Sequence, residues 1–454
     1  MNWRAWFAQR GPRYVVERAK LLSGRYGLTP ERAMTRAEAV VAALGEHGCS
    51  LTYPTPGRVV ERHPAFFRRL QDAGAEIAVH SYDHVDLATY QSAQASEQLM
   101  RAARVFARHG VEARGFRCPY LRHTEELIRA LPPAAFEYSS NLGFWWDIIE
   151  ANQAAGATSI LEILRGFYNP VLALERVCIP RMRVDASTRP NMVEIPVCLP
   201  DDLQLHDGLH MDADGIAQAW HLMLEHTHHR GELFDLVFHP ELAQLCTAPL
   251  VAVVEEAQRL QPAVWIARLR DVAGWWREKA GFGIIVSESA APSNGSPGND
   301  LARCLHVVFT CSQRATILVK DLSVGVSAQP WDGAYSELKA REVDLPAEPR
   351  PFIGLPADAP EEIASFLREQ GYLLDTSRTA TRCGIYLDTA MLARITRPNT
   401  GQVNEVQLIE VIESSPSPLV RYGRWPYGSK SALCISGDLD ALTLFDYASR
   451  LVVR

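Results

Sequence analysis

A chain of 454 residues, 47% hydrophobic and 22% charged, carries enough apolar surface for two or three cores of ordinary size and too little charge for a disordered chain. Its formal charge of −7 gives no basic footprint for nucleic acid or an anionic membrane, and no run of about 18 apolar residues is present to span a bilayer. The nine cysteines are scattered and form no Cys-x-x-Cys pair, so neither a disulfide framework nor a thiolate zinc site is suggested.

The opening stretch Met1–Arg10 lacks the apolar core of a signal peptide, and a cytoplasmic location is expected. Residues 31–46 have a helical apolar period, Cys49–Tyr53 suits a short strand, and Pro54–Gly57 suits a loop. Phe66–Ala73 reads as a helix stopped by Gly74, and Ala75–Val79 as a buried strand. The strand ends at His80, and His84 follows four residues later. Two imidazoles at this spacing can turn toward one ion if the segment winds helically; the alternative is a helix N-terminus with two solvated rings.

Residues 94–109 predict a helix stopped by Gly110, after which Ala113–Arg117 leads into Cys118, Pro119 and Tyr120. A helix is expected over 214–229, a strand over Phe234–Phe238 ending at His239, and a strand at Val264–Ala267 feeding an amphipathic helix over 269–280. Repeated strand-then-helix units with polar residues at the strand ends argue for an α/β fold, either a parallel barrel or a doubly wound sheet.

Residues 286–300 have the Ser/Gly/Pro composition of a flexible linker. Beyond it, alternating apolar segments predict a smaller β-rich domain over 301–424 with one helix near 360–370. Ser431–Gly437 reads as one more buried strand, and it ends in Asp438-Leu439-Asp440. Two rival carboxylate pairs do not follow a buried strand: Asp201-Asp202 reads as a loop, and Asp212 with Asp214 as a helix N-terminus.

His80-Ser81-Tyr82-Asp83-His84, then Arg117-Cys118-Pro119-Tyr120, then Leu236-Val237-Phe238-His239-Pro240 resemble, in order and in strand-end placement, the polysaccharide deacetylases of the NodB-homology type, carbohydrate esterase family 4. The resemblance covers about 31–285 and implies a distorted (β/α) barrel. That family opens with an aspartate-bearing strand, yet no Asp precedes Asp72 here. The 431–440 segment resembles the missing opening, so a circularly permuted barrel is expected: its main part at 31–285, its displaced first strand and helix at 425–454, and the β-rich domain between them. Moving termini to a surface loop of a closed barrel leaves the packed strands unchanged.

Carried over by resemblance, Asp440, His80 and His84 hold one divalent metal, Zn²⁺ first and Co²⁺, Mn²⁺ or Fe²⁺ as alternatives. Asp438 is the general base, Arg117 orients it, the backbone N–H of Tyr120 stabilises an oxyanion, and His239 protonates the departing amine. With Asp-Leu-Asp in place of the usual Asp-Asp-Gly, the two aspartates could exchange roles. Tyr138, Trp145 and Trp146 are expected to contact substrate. The implied reaction is removal of an N-acetyl group from an acetylated sugar or glycan precursor. Hydrolysis of another non-peptide C–N bond, or an inactive metal-binding glycan-recognition protein, are the alternatives. The histidines of 221–229 read as a solvated helix face, Trp275-Trp276 as core, and Cys118 as packing.

Overall fold

The computed structural model describes residues 22–132, 135–148, 168–185, 189–292, 301–322, 324–397 and 401–450. A curled half-barrel sheet organises them. In order across the sheet, its strands are Leu233–Phe238, Ser431–Gly437, Thr52–Thr55, Glu76–Val79, Gly115–Phe116, Tyr138–Ser139, Arg189–Glu194 and Arg181–Asp185. All neighbours are parallel except the last pair. The fold is thus α/β of the kind expected, with helices Glu31–Glu46, Ser92–Arg108, Ala213–Arg230 and Ala243–Arg259 contributing buried faces to its core.

The strand closest to the C-terminus lies inside this sheet. Ser431–Gly437 pairs along one edge with Leu233–Phe238, from Leu233↔Ala432 to Phe238↔Gly437. Its other edge meets Val264–Ile266 at its start and Thr52 at its end, where Thr52 faces Ser436. All seven of its residues are buried. An apolar run buried on both faces is the signature of a parallel strand, which is why Ser431–Gly437 was readable from sequence.

The predicted linker is different in the structure. Gly283–Pro292 is a strand, paired antiparallel with Leu301–Thr310 from Gly283↔Thr310 to Pro292↔Leu301. Residues 293–300 lie outside the described residues. The Ser/Gly/Pro composition that suggested a linker belongs to the connection between paired strands, and ladder pairing with Leu301–Thr310 overrides local propensity on the 286–292 side.

Among its described residues, the 301–424 part has three small sheets, as its β character predicted, but three helices of seven residues or more rather than one: Glu361–Glu369, Thr389–Ile395 and Asn404-capped Glu405–Glu413. Nor does it pack alone. Trp275 and Trp276 of the helix Leu269–Lys279 share one apolar core with Leu305, Val307, Ile317 and Trp425. Trp275 Nε1 donates to the Arg424 carbonyl at 3.0 Å, and the Trp276 and Trp425 rings lie 5.4 Å apart. No helix among the described residues is long and apolar enough to cross a membrane.

Gly437 is where the inserted strand is tightest: a Cβ there would lie 2.7 Å from Tyr53 and 2.8 Å from Phe238. Gly437→Ala should therefore destabilise the protein by about 1–3 kcal/mol, the usual cost of overpacking. Urea unfolding of the two proteins measures this, and equal midpoints would contradict the tight insertion.

Candidate active site

The C-terminal ends of the parallel strands converge, as they do at ligand sites of α/β barrels. His80 follows Glu76–Val79 and extends the ladder, its N–H donating to the Thr55 carbonyl at 2.9 Å. The next residues do not wind into a helix. Ser81 and His84 are left-handed, at φ 59° and 54°, and the His84 N–H donates to Ser81 Oγ at 2.9 Å. Two residues in a sparsely allowed region turn the chain back, so the imidazole centroids come to 4.9 Å.

Asp440, from the far end of the chain, completes a cluster. Its Oδ1 lies 3.0 Å from His84 Nε2 and 3.5 Å from His80 Nε2. Asp438 Oδ2 is 3.9 Å from His80 Nε2. Burial alone would raise the Asp440 carboxyl, but His84, Arg450 and His80 around it hold it well below the usual carboxylate range.

The donor set can be tested against a divalent cation. His80 donates from Nδ1 to the Arg117 carbonyl at 2.8 Å, which leaves the Nε2 lone pair facing the cluster. Asp440 Oδ1 is buried and faces the Nε2 atoms of both histidines. His84 is neutral, pushed down to about 4 by burial with Arg450 and His80 adding to the effect. These three side chains fit an ion. One contact works against it: Arg450 Nη1 approaches His84 Nδ1 at 2.8 Å and Asp440 Oδ2 at 3.3 Å. Guanidinium can only donate, so the neutral ring must carry its proton on Nε2, the atom that faces the cluster. Arg450 is held there by the preceding helix Leu444–Ser449, whose Thr443/Asp446 capping box fixes its start, and by the Tyr447 ring at 3.7 Å.

Arg117 is fully buried and joins strands that are far apart in the chain. Nη1 donates to Asp438 Oδ1 at 2.8 Å and Nη2 to Asp235 Oδ2 at 2.8 Å, with Ser140 Oγ and Ser436 Oγ at 2.9 and 3.0 Å. Burial would weaken its charge, yet Asp438 and Asp235 more than offset this and raise its pKa. Asp235 is itself pushed up to about 6, by burial first, against the pull of Arg117 and Ser436. Truncating one member of such a buried network costs about 3–5 kcal/mol.

His239 follows Leu233–Phe238, and its Nδ1 and N–H both bond to Asp202, at 2.7 Å each. Burial would lower the imidazole, but Asp202, with Glu241 and Asp201 behind it, raises it well above its ordinary value. Tyr120 is left-handed at φ 62°, with its ring edge-on to His84 at 5.1 Å.

The three aromatic residues expected at the substrate are elsewhere. Tyr138 is fully buried and donates to Glu76 Oε1 at 2.8 Å. Trp145 packs with Val197, Leu199 and Val237, and Trp146 lies against His226 and Arg230. Tyr138 and Trp145 sit in strands paired on both edges, and Trp146 continues the second ladder with its N–H donating to the Leu199 carbonyl at 2.9 Å, so these positions lie inside the packed sheets. His228 also departs from the solvated-face expectation, being buried with Nδ1 2.9 Å from Ser431 Oγ. Asp235 and Asp202 were not anticipated in these places. A carboxylate within the apolar run Leu233–Phe238 was the available signal for the first, because a buried charge demands a partner. Asp202 was weighed only as a metal carboxylate.

Residues 27–139 match the family model described as polysaccharide deacetylase. The matched segment contains His80, His84, Arg117 and Tyr120, whereas His239, Asp438 and Asp440 come from beyond it. Among solved structures, the chain is similar to a protein of Mycobacterium smegmatis assigned as a polysaccharide deacetylase, at 21% identity over 54% of this chain and 77% of that one, TM-score 0.41. It is also similar to Puue allantoinase at 17% identity over 54% and 72%, TM-score 0.40. A family 4 carbohydrate esterase from Streptomyces lividans, in complex with acetate, matches at 17% identity over 49% and 82%, TM-score 0.29.

Two expectations follow from the charges. Asp202→Asn removes the main support of the His239 proton, so the alkaline limb of the kcat/KM profile should move to lower pH. The sign also holds for stability: the wild-type His239–Asp202 contribution is complete below the unfolded histidine value of about 6.5 and is lost as pH rises through the raised folded value. An unchanged alkaline limb and unchanged pH dependence of unfolding would remove Asp202 from this role. Arg450→Ala, by freeing His84 Nδ1 and removing a like charge, should tighten divalent-metal binding by about tenfold or more in calorimetric titration. Weaker binding would mean that Arg450 supports the site.

Proposed function

We propose that the protein is a metal-dependent N-deacetylase acting on an acetylated amino sugar or glycan precursor. The observation that carries this reading is the meeting of His80, His84 and Asp440 with a second carboxylate, Asp438, that a buried arginine holds 3.9 Å from His80. A metal pair of imidazoles with one carboxylate leaves coordination positions open, which is the composition of a catalytic site. A divalent ion on these three residues, Zn²⁺ by donor type, supplies Lewis acidity to water and to the acyl oxygen.

The remaining roles belong to the side chains. Asp440 touches both histidines and takes the ligand role, which leaves Asp438 as the base. Arg117 occupies Asp438 Oδ1 and leaves Oδ2 toward His80 to accept a proton from attacking water. His239, kept charged by Asp202, gives its proton to the departing amine. The Tyr120 backbone N–H serves the oxyanion, a donor of a kind worth about 3 kcal/mol. The insertion of Ser431–Gly437 beside Thr52–Thr55 supports reading the chain as a permuted barrel whose opening aspartates come last.

Acetate release from N-acetylated chito-oligosaccharides, beside elemental analysis of the dialysed protein, tests this reading. Asp438→Asn should lower kcat by about 10²–10⁴ with metal content unchanged, and Asp440→Ala should lose the metal. Normal turnover by Asp438→Asn would refute the base assignment. Metal binding without acetate release by the wild type would turn the reading to another C–N substrate or to glycan recognition.

A further inference from the structure

At the opposite end of the sheet, a cavity of about 300 Å³ lies between the half-barrel and the 301–424 part. Arg230 and Gly231, just before the strand Leu233–Phe238, and Lys430, just before Ser431–Gly437, form one side. Lys320, Trp331, Tyr335 and Arg421 belong to the other. The catalytic candidates are at the C-terminal ends of the same strands, so this cavity is separate from them.

Its charges do not balance. Of the Lys and Arg side chains in its walls, Arg230 pairs with Glu232 at 2.6 Å, Arg421 with Glu413 at 3.1 Å and Lys430 with Asp332 at 2.8 Å. Lys320 and Arg424 have no carboxylate partner among the described residues. Lys320 Nζ donates to the carbonyls of Glu413 and Ser415 at 2.6 and 2.7 Å, and Arg424 Nη1 to those of Arg230 and Gly231 at 3.0 and 2.5 Å. Carbonyls satisfy hydrogen bonds but leave the charge in place. Both residues are more than nine-tenths buried, at 5% and 7% exposure, and Arg424 Nε is buried with no partner. Burial, with Arg421 adding to it, pushes Arg424 down to about 10, more than the nearby Glu232 and Glu413 offset. Trp331 and Tyr335 stand edge to face at 6.5 Å beside these cations.

We infer that this cavity binds a small organic phosphate, its dianionic group neutralising Lys320 and Arg424 and its carbon skeleton lying against Trp331 and Tyr335. Two uncompensated charges call for a dianion, and fixed N–H donors suit phosphate oxygens. The volume and the aromatic wall favour a phosphate ester of monosaccharide size over a bare ion or a polymer. The inference does not rest on the deacetylase reading.

Calorimetry and thermal unfolding of the full chain with glucose 6-phosphate, glucose and inorganic phosphate test it. The phosphate ester should bind, and should raise the unfolding temperature more than inorganic phosphate does, while glucose does neither. Lys320→Gln should weaken ester binding by about tenfold or more, the effect of losing a charge-assisted hydrogen bond. With one uncompensated charge gone, the unliganded variant should also unfold no lower than the wild type. If Lys320→Gln fails to fold, Trp331→Ala, at a half-buried position, should abolish the preference for ester over inorganic phosphate. No ester binding to the wild type, or equal affinity in the variants, would overturn the assignment.

Discussion

The site depends on one buried cation. Arg117 has no exposed surface, and a charge so placed is tolerable only with partners that stay where they are. Its two carboxylates lie 118 and 321 positions away in sequence. The network therefore ties three strands together, and it sets the direction in which Asp438 presents its other oxygen. One cation faces two carboxylates, so the balance is uneven. Asp235, fully buried and bonded by Ser436 as well as Arg117, takes up the difference through its raised pKa. Asp438, at the mouth, keeps one oxygen directed toward His80. The fold thus divides two chemically equal groups into one that structures the site and one that is available to it.

The same separation explains what could be read beforehand. His80, Arg117, His239 and Asp438 each follow a short buried run, and a run of that kind is a local pattern, so strand ends were legible. The helical turn expected after His80 was not, because the left-handed backbone of Ser81 and His84 is chosen by tertiary fit rather than by residue type. Asp202 was visible as a carboxylate but not as the partner of His239, since a pairing over 37 positions leaves no periodicity to read. Tyr138, Trp145 and Trp146 illustrate the converse. Aromatic rings are good at both core packing and sugar contact, and only strand pairing decided for the core. Composition misled in a similar way at 286–292, where Ser and Glu sit in a ladder that a neighbouring strand imposes.

Arg450 adds a constraint that no reading of motifs contains. Ligating histidines are usually oriented by an acceptor on the second nitrogen, as the Arg117 carbonyl orients His80. Arg450 is a donor in that place on His84, and it also bonds to Asp440. In this arrangement the guanidinium supplies positive charge to a cluster whose carboxylate would otherwise be unbalanced. A metal ion and Arg450 therefore compete for the same carboxylate charge and require opposite tautomers of His84. Because Arg450 ends the helix that follows the Asp438–Asp440 segment, the segment that brings the carboxylates also brings their competitor.

The spacing of those carboxylates has its own geometric reason. Beyond Gly437 the chain is still extended: the Asp438 N–H donates to the Phe238 carbonyl at 3.0 Å, and the Leu439 N–H to the Pro54 carbonyl at 2.9 Å. Successive residues of an extended chain point to opposite faces. Leu439 is accordingly buried in the core, at 2% exposure, while Asp438 and Asp440 both face the histidines. Adjacent aspartates on the same backbone would send one carboxylate into the apolar space that Leu439 fills. An Asp-x-Asp order with an apolar middle residue is thus what this straight strand end requires, and a pair of neighbouring aspartates would need the chain to turn between them.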